Sequence, residues 1–168
     1  PVTEEITGVD LVEWQLLVAS GQPIPIKQED LFIDGHSIEA RLYAEDPSSG
    51  FLPSTGPLEH FDLGVEGRIE TGVEEGDKIS PFYDPMVAKL VVWGETRGEA
   101  IDQLAEIAER VEIWPVKTNA AFIANCLRED DFEDAKLDTD FIASKMDRLV
   151  SSDTADDAVW QSAVDFIA

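Results

Sequence analysis

The stretch of residues 86–93 is Met86-Val87-Ala88-Lys89-Leu90-Val91-Val92-Trp93, which is apolar and rich in β-prone side chains. A short apolar run of this composition is typical of a buried strand. We therefore predict a central strand here. The segment that follows, about residues 96–110, has apolar residues at helical spacing and is predicted to be a helix. Its apolar stripe consists of Ile101, Leu104, Ala105, Ala108 and Val111.

Residues 31–44 are predicted to form a β-hairpin. Leu31-Phe32-Ile33 is one strand, Asp34-Gly35 is a two-residue turn signal, and residues 36–44 are the second strand. Successive side chains of a strand point to opposite faces of the sheet. The second strand therefore directs Ile38, Ala40, Leu42 and Ala44 to one face, and Glu39, Arg41 and Tyr43 to the other.

Turn-rich segments, short strands and helices account for the rest of the pattern. Short strands are predicted near residues 57–61, 66–71 and 77–80, and at residues 112–114. The fold class is predicted to be α+β, an antiparallel sheet with flanking helices. Helices are predicted at 3–20 with Thr3 as cap and Gly8 as a candidate break, at 118–128 capped by Thr118, at 139–146 capped by Thr139, and at 159–167 after a polar linker at 151–157.

Length and charge argue against several classes of protein. The 168 residues suit one domain, or one domain with an appended segment. A net charge of −24 argues against nucleic acids and anionic membrane surfaces as partners, since both attract Lys and Arg. No apolar run reaches the length of about 18 residues that a transmembrane helix needs. With a single cysteine and no disulfide, the expected location is the reducing cytoplasm of a bacterium.

The second strand of the predicted hairpin carries the best candidate for a site, because Glu39, Arg41 and Tyr43 share its polar face. An arginine in an otherwise apolar strand is costly to bury unless it pairs with an anion. That anion is either a ligand or a structural carboxylate such as Glu39. Asp84 is a lone charge between aromatic and apolar residues, where it either pairs with Arg41 or forms a turn before Pro85.

Other kinds of site are not predicted. Neither His36 nor His60 has a partner at a zinc-like spacing, so no metal site is expected. No glycine-rich phosphate loop of the P-loop or Rossmann type is present. Cys126 lies in an apolar helical pattern and is predicted to be a buried small hydrophobe rather than a nucleophile.

The polar strand and the Asp84 segment also carry a resemblance to a known family. Residues 35–47, GHSIEARLYAEDP, resemble the biotin carboxylase signature Gly-His-x-Ile-Glu-x-Arg-x-x-Ala-Glu-Asp-Pro. The likeness is collinear over about residues 1–149, and it includes the α-subunits of acetyl-, propionyl- and methylcrotonyl-CoA carboxylases. The other matching segments are 1–12 (PVTEEITGVDLV), 51–56 (FLPSTG), 80–90 (SPFYDPMVAKL), 116–119 (VKTN) and 138–142 (DTDFI).

The resemblance implies the C-terminal part of an ATP-grasp ligase. In that family bicarbonate is phosphorylated by MgATP, and the carboxyl group then moves to N1 of biotin on a carrier domain. Residues 1–21 are then the end of the ATP-grasp region, 22–149 the biotin carboxylase C-terminal domain, and 150–168 a linker or the start of the next segment. Because the chain begins with Pro1, we expect an excised piece. The resemblance implies that this piece is inactive alone, because the family's ATP-binding groups and general base lie upstream of the position matched by Pro1. The implied partners are a biotin carboxyl carrier segment, a carboxyltransferase subunit and a second copy in a homodimer.

The resemblance also implies roles for individual side chains. Arg41 matches the arginine that stabilises the oxyanion developing on biotin, a role that suits a permanently charged planar fork. Glu39 and Asp84 are expected to belong to the biotin site or to support it. Phe141 falls near a position that packs on the adenine of ATP, and Arg68 falls near an arginine of the subunit interface.

Two alternatives to this function stay open. One is a dimerisation or interaction domain without catalytic activity. The other is part of a different ATP-grasp carboxylase, such as a purine-biosynthetic enzyme, and the Glu-x-Arg-x-x-Ala-Glu-Asp-Pro signature argues against it. The resemblance leaves the acyl-CoA open, because a separate carboxyltransferase subunit chooses the acceptor.

We predict that the isolated chain neither hydrolyses MgATP nor binds it tightly. MgATP needs oxygen ligands for the metal and cations for the phosphates, and the family places both upstream of the position matched by Pro1. Calorimetry with MgATP at high micromolar protein should therefore detect no binding. A dissociation constant below about 10 µM, roughly 7 kcal/mol of binding free energy, would contradict this prediction.

Overall fold

A three-stranded antiparallel sheet organises the fold, and its middle strand is Met86–Gly94. The computed structural model describes residues 1–64, 67–151 and 157–167. In chain order the helices and strands are α1 (Val2–Thr7), α2 (Leu11–Ala19), β1 (His36–Tyr43), β2 (Glu45–Asp46), β3 (Leu52–Pro53), β4 (Gly56–Pro57), β5 (His60–Asp62), β6 (Arg68–Thr71), β7 (Lys78–Ile79), β8 (Met86–Gly94), α3 (Arg97–Glu109), β9 (Glu112–Trp114), α4 (Ala120–Leu127), α5 (Asp130–Glu133), α6 (Phe141–Leu149) and α7 (Asp157–Ile167).

Strand β8 is the predicted central strand, and the structure confirms it. It pairs antiparallel with β1 on one edge and with β6 on the other. The register of β1 places Arg41 opposite Lys89 and Leu42 opposite Ala88, with an irregularity between Leu42 and Tyr43. The side chains that β8 buries in the core are Val87, Ala88, Leu90, Val91 and Val92.

Helix α3 confirms the helix predicted at residues 96–110 and covers the sheet. Thr96 caps it: its hydroxyl accepts from the Glu99 N–H, and the Glu99 carboxylate accepts from the Thr96 N–H. This reciprocal pair is a capping box, which satisfies two otherwise free backbone donors. Of the predicted apolar stripe, Val111 is half-buried just beyond the helix. The buried members are Ile101, Leu104, Ala105 and Ala108.

The predicted hairpin at residues 31–44 is wrong in its first strand. Leu31-Phe32-Ile33 is exposed and forms no strand, and β1 pairs with β8 instead. The Asp34-Gly35 segment does not reverse the chain into a hairpin, and its hydrogen bonds attach it to α1 and β8 instead. The Asp34 N–H donates to the Ile6 carbonyl at 2.8 Å, and the Trp93 indole N–H donates to the Asp34 carbonyl at 2.9 Å. Strand β1 thus pairs with the long apolar strand β8, and not with residues 31–33 as the local turn signal had predicted.

The N-terminal helical segment breaks where predicted but is capped differently. Gly8 ends α1 in the left-handed conformation with a φ of 66°, which glycine adopts without strain. Thr3 lies inside α1 and is not its cap. The second helix is capped by Asp10, whose carboxylate accepts from the Glu13 N–H at 2.8 Å.

Two further predicted caps are also displaced. Helix α4 begins one residue later than expected, with Asn119 at the cap position. The Thr118 hydroxyl nevertheless accepts from the Ala120 N–H at 3.4 Å, so it caps the helix from one residue further out. Helix α6 follows Asp140 rather than Thr139, because the Asp138 carboxylate accepts from the Asp140 N–H at 2.9 Å and turns the chain there. The four-residue helix α5 was not predicted, since its acidic sequence has no apolar period.

Most of the remaining short elements agree with the sequence, whereas β2 and β3 lie in a segment that was predicted to be turns. Strands β4 to β7 lie in the regions predicted to be short strands, and β9 matches the strand predicted at residues 112–114. They form two-stranded pairs, β4 with β7 and β5 with β9, and β2 pairs with β3. Helix α7 matches the predicted final helix, whereas residues 152–156 of the predicted linker lie outside the described residues. In the described part of the chain, no helix is long and apolar enough to cross a membrane.

We predict that Leu90→Ala lowers the free energy of unfolding by about 2–5 kcal/mol, because Leu90 is fully buried in the middle strand and its loss leaves a cavity. The matched control Leu16→Ala lies on the exposed face of α2 and should change it by less than about 0.5 kcal/mol. Urea unfolding, followed by tryptophan fluorescence, measures both. A non-cooperative transition of the unaltered chain, or equal effects of the two variants, would contradict the prediction.

Candidate functional site

The polar face predicted on β1 is present in the structure. Leu42 points into the core and is fully buried, so the alternating residues Glu39, Arg41 and Tyr43 share the opposite face. The Arg41 side chain is 59% exposed, whereas the Glu39 side chain is 18% exposed. The guanidinium therefore lies at the surface, beside a carboxylate that is mostly covered by protein.

Neighbours on the same strand hold the Arg41 guanidinium. Its Nε donates to Glu39 Oε1 at 3.3 Å. A hydrogen bond with the Tyr43 side chain, followed by the hydrogen bond and charge of Glu39, raises the pKa of Arg41 above its ordinary value. Since i and i+2 residues of a strand lie on one face, these three side chains are brought together by local geometry alone. The guanidinium is held by Glu39 and is still reachable from solvent.

Asp84 takes the second of its two predicted places. Its carboxylate accepts from the Met86 N–H at 2.9 Å and so closes the turn that contains Pro85. The ion pair of Arg41 is made with Glu39. The two possibilities that the sequence left open for Asp84 and Arg41 are therefore separated: Asp84 shapes the loop before β8, and Glu39 is the carboxylate that contacts the guanidinium.

Asn119 and Glu45 belong to this region and were not singled out from the sequence. The Asn119 amide is 7% exposed and contacts the backbone of Arg41 and Tyr43. The pKa of Glu45 is raised above its ordinary value, mainly by burial. A hydrogen bond with Asn119 opposes this shift, and the Asp84 charge adds to it. Nothing in the local pattern marks an asparagine at a helix start as a partner of a strand 76 residues earlier.

Arg68 lies on β6, where it joins the first helix to the sheet. It donates to Glu5 Oε1 at 2.9 Å and to Glu4 Oε2 at 3.0 Å, and it also contacts Glu70 of its own strand. The hydrogen bonds with Glu5, Glu70 and Glu4 raise the pKa of Arg68. The role at a subunit interface stays a prediction, and within the chain Arg68 is a clamp between α1 and β6.

Phe141 lies in a different part of the molecule, on α6. It is 9% exposed, its ring centroid lies 6.2 Å from that of Phe132, and the Lys145 ammonium is 5.7 Å from the ring centroid. The ring is thus used in packing and in a cation–π contact. A contact with adenine stays a prediction. No cluster of three or more His, Cys, Asp or Glu side chains suited to a metal ion occurs among residues 1–64, 67–151 and 157–167.

A family model described as the biotin carboxylase C-terminal domain matches residues 39–144. The chain belongs to this family. The matched range begins at Glu39 and includes the polar face of β1, the central strand β8 and the start of α6. The resemblance stated from the sequence motifs is therefore confirmed.

Relatives of known name cover the same chain. It is 44% identical to the mitochondrial methylcrotonoyl-CoA carboxylase subunit alpha of Rattus norvegicus, over 99% of this chain and 24% of that protein. It is 46% identical to a biotin carboxylase of Halalkalibacterium halodurans, over 87% of this chain and 32% of that protein. The chain thus spans about a quarter to a third of the length of these relatives. Because one of them is mitochondrial, the bacterial cytoplasm stays a prediction.

A solved structure has the same architecture. It is the biotin carboxylase domain dimer of the Hydrogenobacter thermophilus 2-oxoglutarate carboxylase, in complex with MgADP, ADP and bicarbonate. The TM-score is 0.86 at 39% identity, and the alignment covers 91% of this chain and 34% of that one. The predicted α+β class, an antiparallel sheet with flanking helices, is therefore confirmed.

Cys126 is half-buried on α4, and burial, together with the Glu129 charge, raises the pKa of its thiol to about 11. We predict that iodoacetamide at pH 8 labels Cys126 about a hundredfold more slowly in the folded chain than in urea, because the thiolate is the reactive form. Since the thiol stays protonated in the folded state, the rate should rise as the pH approaches 11. Labelling at equal rates in both states would contradict this and would reopen a reactive role for Cys126.

Proposed function

We propose that the chain is the C-terminal part of an ATP-dependent biotin carboxylase, which uses bicarbonate to carboxylate biotin on a carrier domain within an acyl-CoA carboxylase. The observation that supports this most is the polar face of β1. It presents an oriented, solvent-accessible guanidinium, Arg41, within the segment that carries the family signature. We propose Arg41 as the catalytic residue that this part of the enzyme contributes.

The chemistry of Arg41 fits a ligand such as biotin. Biotin, when bound, supplies a ureido nitrogen that accepts the carboxyl group, and negative charge gathers on the ureido oxygen during the transfer. A guanidinium is always charged and offers a planar fork of N–H donors. Donors aimed at a developing oxyanion lower the barrier most when they are fixed beforehand. The hydrogen bond of Arg41 Nε with Glu39 supplies that fixation.

Glu39 has a positioning role in this proposal. Its carboxylate is mostly covered by protein, so it is held firmly while the guanidinium that it contacts remains exposed. A single Nε contact at 3.3 Å sets the direction of the fork without a bidentate pairing that would occupy its outer edge. Asp84 supports the same region indirectly, because it fixes the loop whose Pro85 carbonyl accepts from the Ala44 N–H at 2.8 Å, just after β1.

The described residues do not fit MgATP, so no step of phosphoryl transfer is assigned to them. Mg²⁺ needs oxygen ligands and the phosphates need cations, and the described part of the chain has no cluster of side chains suited to a metal ion. The similar domain named above was solved with MgADP and bicarbonate. We propose that the preceding ATP-grasp region of the same protein binds MgATP and that Phe141 at most borders the adenine.

The domain division and the partners are part of the proposal. Residues 1–21 would end the ATP-grasp region, 22–149 would form the C-terminal domain, and 150–168 would lead to the next segment. A biotin carboxyl carrier segment and a carboxyltransferase subunit follow from the acyl-CoA carboxylase assignment. A homodimer is supported by the dimer named in the similar structure, and Arg68 is its candidate interface residue. The rival, a non-catalytic interaction domain, requires no activity from Arg41.

We predict that Arg41→Ala in the intact biotin carboxylase lowers the rate of biotin carboxylation by at least about a hundredfold, as for the loss of one oxyanion donor. Bicarbonate-dependent ATP cleavage should fall much less, because its ligands lie in the preceding region. Arg41→Lys should recover only part of the rate, since an ammonium keeps the charge and loses the fork. Both reactions are assayed with free biotin, on variants of matched melting temperature.

The control for this experiment is Arg110→Ala. Arg110 is similarly exposed and pairs with Glu106 on α3, so its removal breaks a surface ion pair away from the β1 face. Both reactions should stay at the level of the unaltered enzyme. If Arg41→Ala reduces both reactions in parallel with its stability, or reduces neither, then Arg41 is a structural residue and the interaction-domain alternative is favoured.

A further inference from the structure

The outer edge of β1 is completed by a side chain. Strand β8 pairs with one edge of β1, and within the described residues no strand pairs with the other edge. A free edge leaves backbone N–H and C=O groups without partners, and such groups are costly when buried. At Arg41 and Tyr43, the buried residue Asn119 occupies this edge.

Three hydrogen bonds join Asn119 to these two residues. The Tyr43 N–H donates to Asn119 Oδ1 at 2.9 Å, and the Asn119 Nδ2 donates to the Arg41 carbonyl at 3.2 Å. The Asn119 backbone N–H donates to the Tyr43 carbonyl at 3.2 Å. Asn119 therefore provides the hydrogen bonds that a neighbouring strand would make. These bonds lie on both sides of the register irregularity between Leu42 and Tyr43.

The chemistry of the amide is specific. It must accept from one backbone group and donate to the next, which a carboxylate of the same shape cannot do. Because Asn119 is 7% exposed, water does not replace a bond that is lost there. The segment before it is itself held, since the Lys117 N–H donates to Ser54 Oγ at 2.9 Å and the Lys117 ammonium lies 2.8 Å from Asp46 Oδ2.

We propose that Asn119 is a positioning residue for Arg41: it fixes the backbone of β1 from which the guanidinium projects. The inference rests on the proposed function of Arg41. A long side chain transmits a small backbone error to its tip, and displacements of about 1 Å at a reacting group cost up to about a hundredfold in rate. Asn119 thus acts on the reaction through the backbone of Arg41 and Tyr43, with no contact to substrate.

The test compares Asn119→Ala and the isosteric Asn119→Asp with Asn125→Ala in the intact biotin carboxylase. Asn125 is a matched control, because it lies on the helix that Asn119 precedes and also donates from its Nδ2, to the Leu149 carbonyl at 2.9 Å and to Ser151 Oγ at 3.0 Å, away from β1. Biotin carboxylation at saturating free biotin and bicarbonate-dependent ATP cleavage without biotin are measured for each variant, with melting temperatures.

Both Asn119 variants should lower the turnover of biotin carboxylation about tenfold and change ATP cleavage by less than about twofold. Asn125→Ala should not separate the two reactions, whatever its effect on the melting temperature. Combining Asn119→Ala with Arg41→Ala should give a rate within about twofold of Arg41→Ala alone, since a residue that acts through Arg41 has nothing left to position.

Failure of the positioning inference and failure of the proposed function give different results. If Arg41→Ala is impaired in biotin carboxylation and Asn119→Ala behaves like Asn125→Ala, the positioning inference is overturned and the proposed function stands. Additive losses in the double variant overturn the inference as well, because Asn119 then acts independently of Arg41. If Arg41→Ala leaves biotin carboxylation unchanged, the proposed role of Arg41 fails, and the positioning inference fails with it.

Discussion

The burial of β8 is the constraint on which the rest of the structure depends. Between Val87 and Val92 all of its residues except Lys89 are almost completely buried, with α3 packed over the sheet and the strands β1 and β6 on its two edges. A strand that is fixed in this way also fixes its partners. If β1 slipped by one residue, Leu42 would turn to solvent and Arg41 would turn into the core, where an unpaired guanidinium is costly. The apolar register of the sheet therefore keeps the guanidinium on the surface.

The second constraint acts on backbone polar groups rather than on apolar side chains. Near its C-terminal end the pairing of β1 with β8 becomes irregular. On the outer edge of β1, away from β8, no strand of the described residues supplies hydrogen bonds. Asn119 provides the missing hydrogen bonds, and the contacts of Lys117 with Ser54 and Asp46 hold the segment that carries it. The segment that resembles the family motif Val-Lys-Thr-Asn thus has a physical role, because it joins the start of α4 to the strand that bears Arg41.

The features that follow from the local periodicity of apolar and polar residues were predicted correctly. The central strand, the apolar stripe of α3 and the alternation of Glu39, Arg41 and Tyr43 follow from periodicity, and the structure has them all. The first strand of the hairpin was predicted wrongly, because a turn signal is a local feature. The partner of β1 is the strand β8, which is distant in sequence. The caps predicted at Thr3 and Thr139 are wrong, because Pro1 and Asp140 take those cap positions. Asn119 takes the cap position of α4, although the Thr118 hydroxyl still accepts from the Ala120 N–H as predicted for a cap. Asn119 was missed because its partners lie in a strand distant along the chain.

The acidity of the chain bears on what Arg41 is suited to bind. With a net charge of −24, the chain as a whole repels anions, and the local pair of Arg41 with Glu39 has no net charge. Such a pair attracts a fully formed anion such as bicarbonate or a phosphate only weakly. Under the proposed function it would instead stabilise negative charge that appears at short range during the reaction, since the guanidinium is exposed and the carboxylate is mostly covered by protein. Catalysis depends on binding the transition state more strongly than the substrate, so a neutral ligand that becomes charged as it reacts, such as the ureido group of biotin, is the kind of molecule that this arrangement favours.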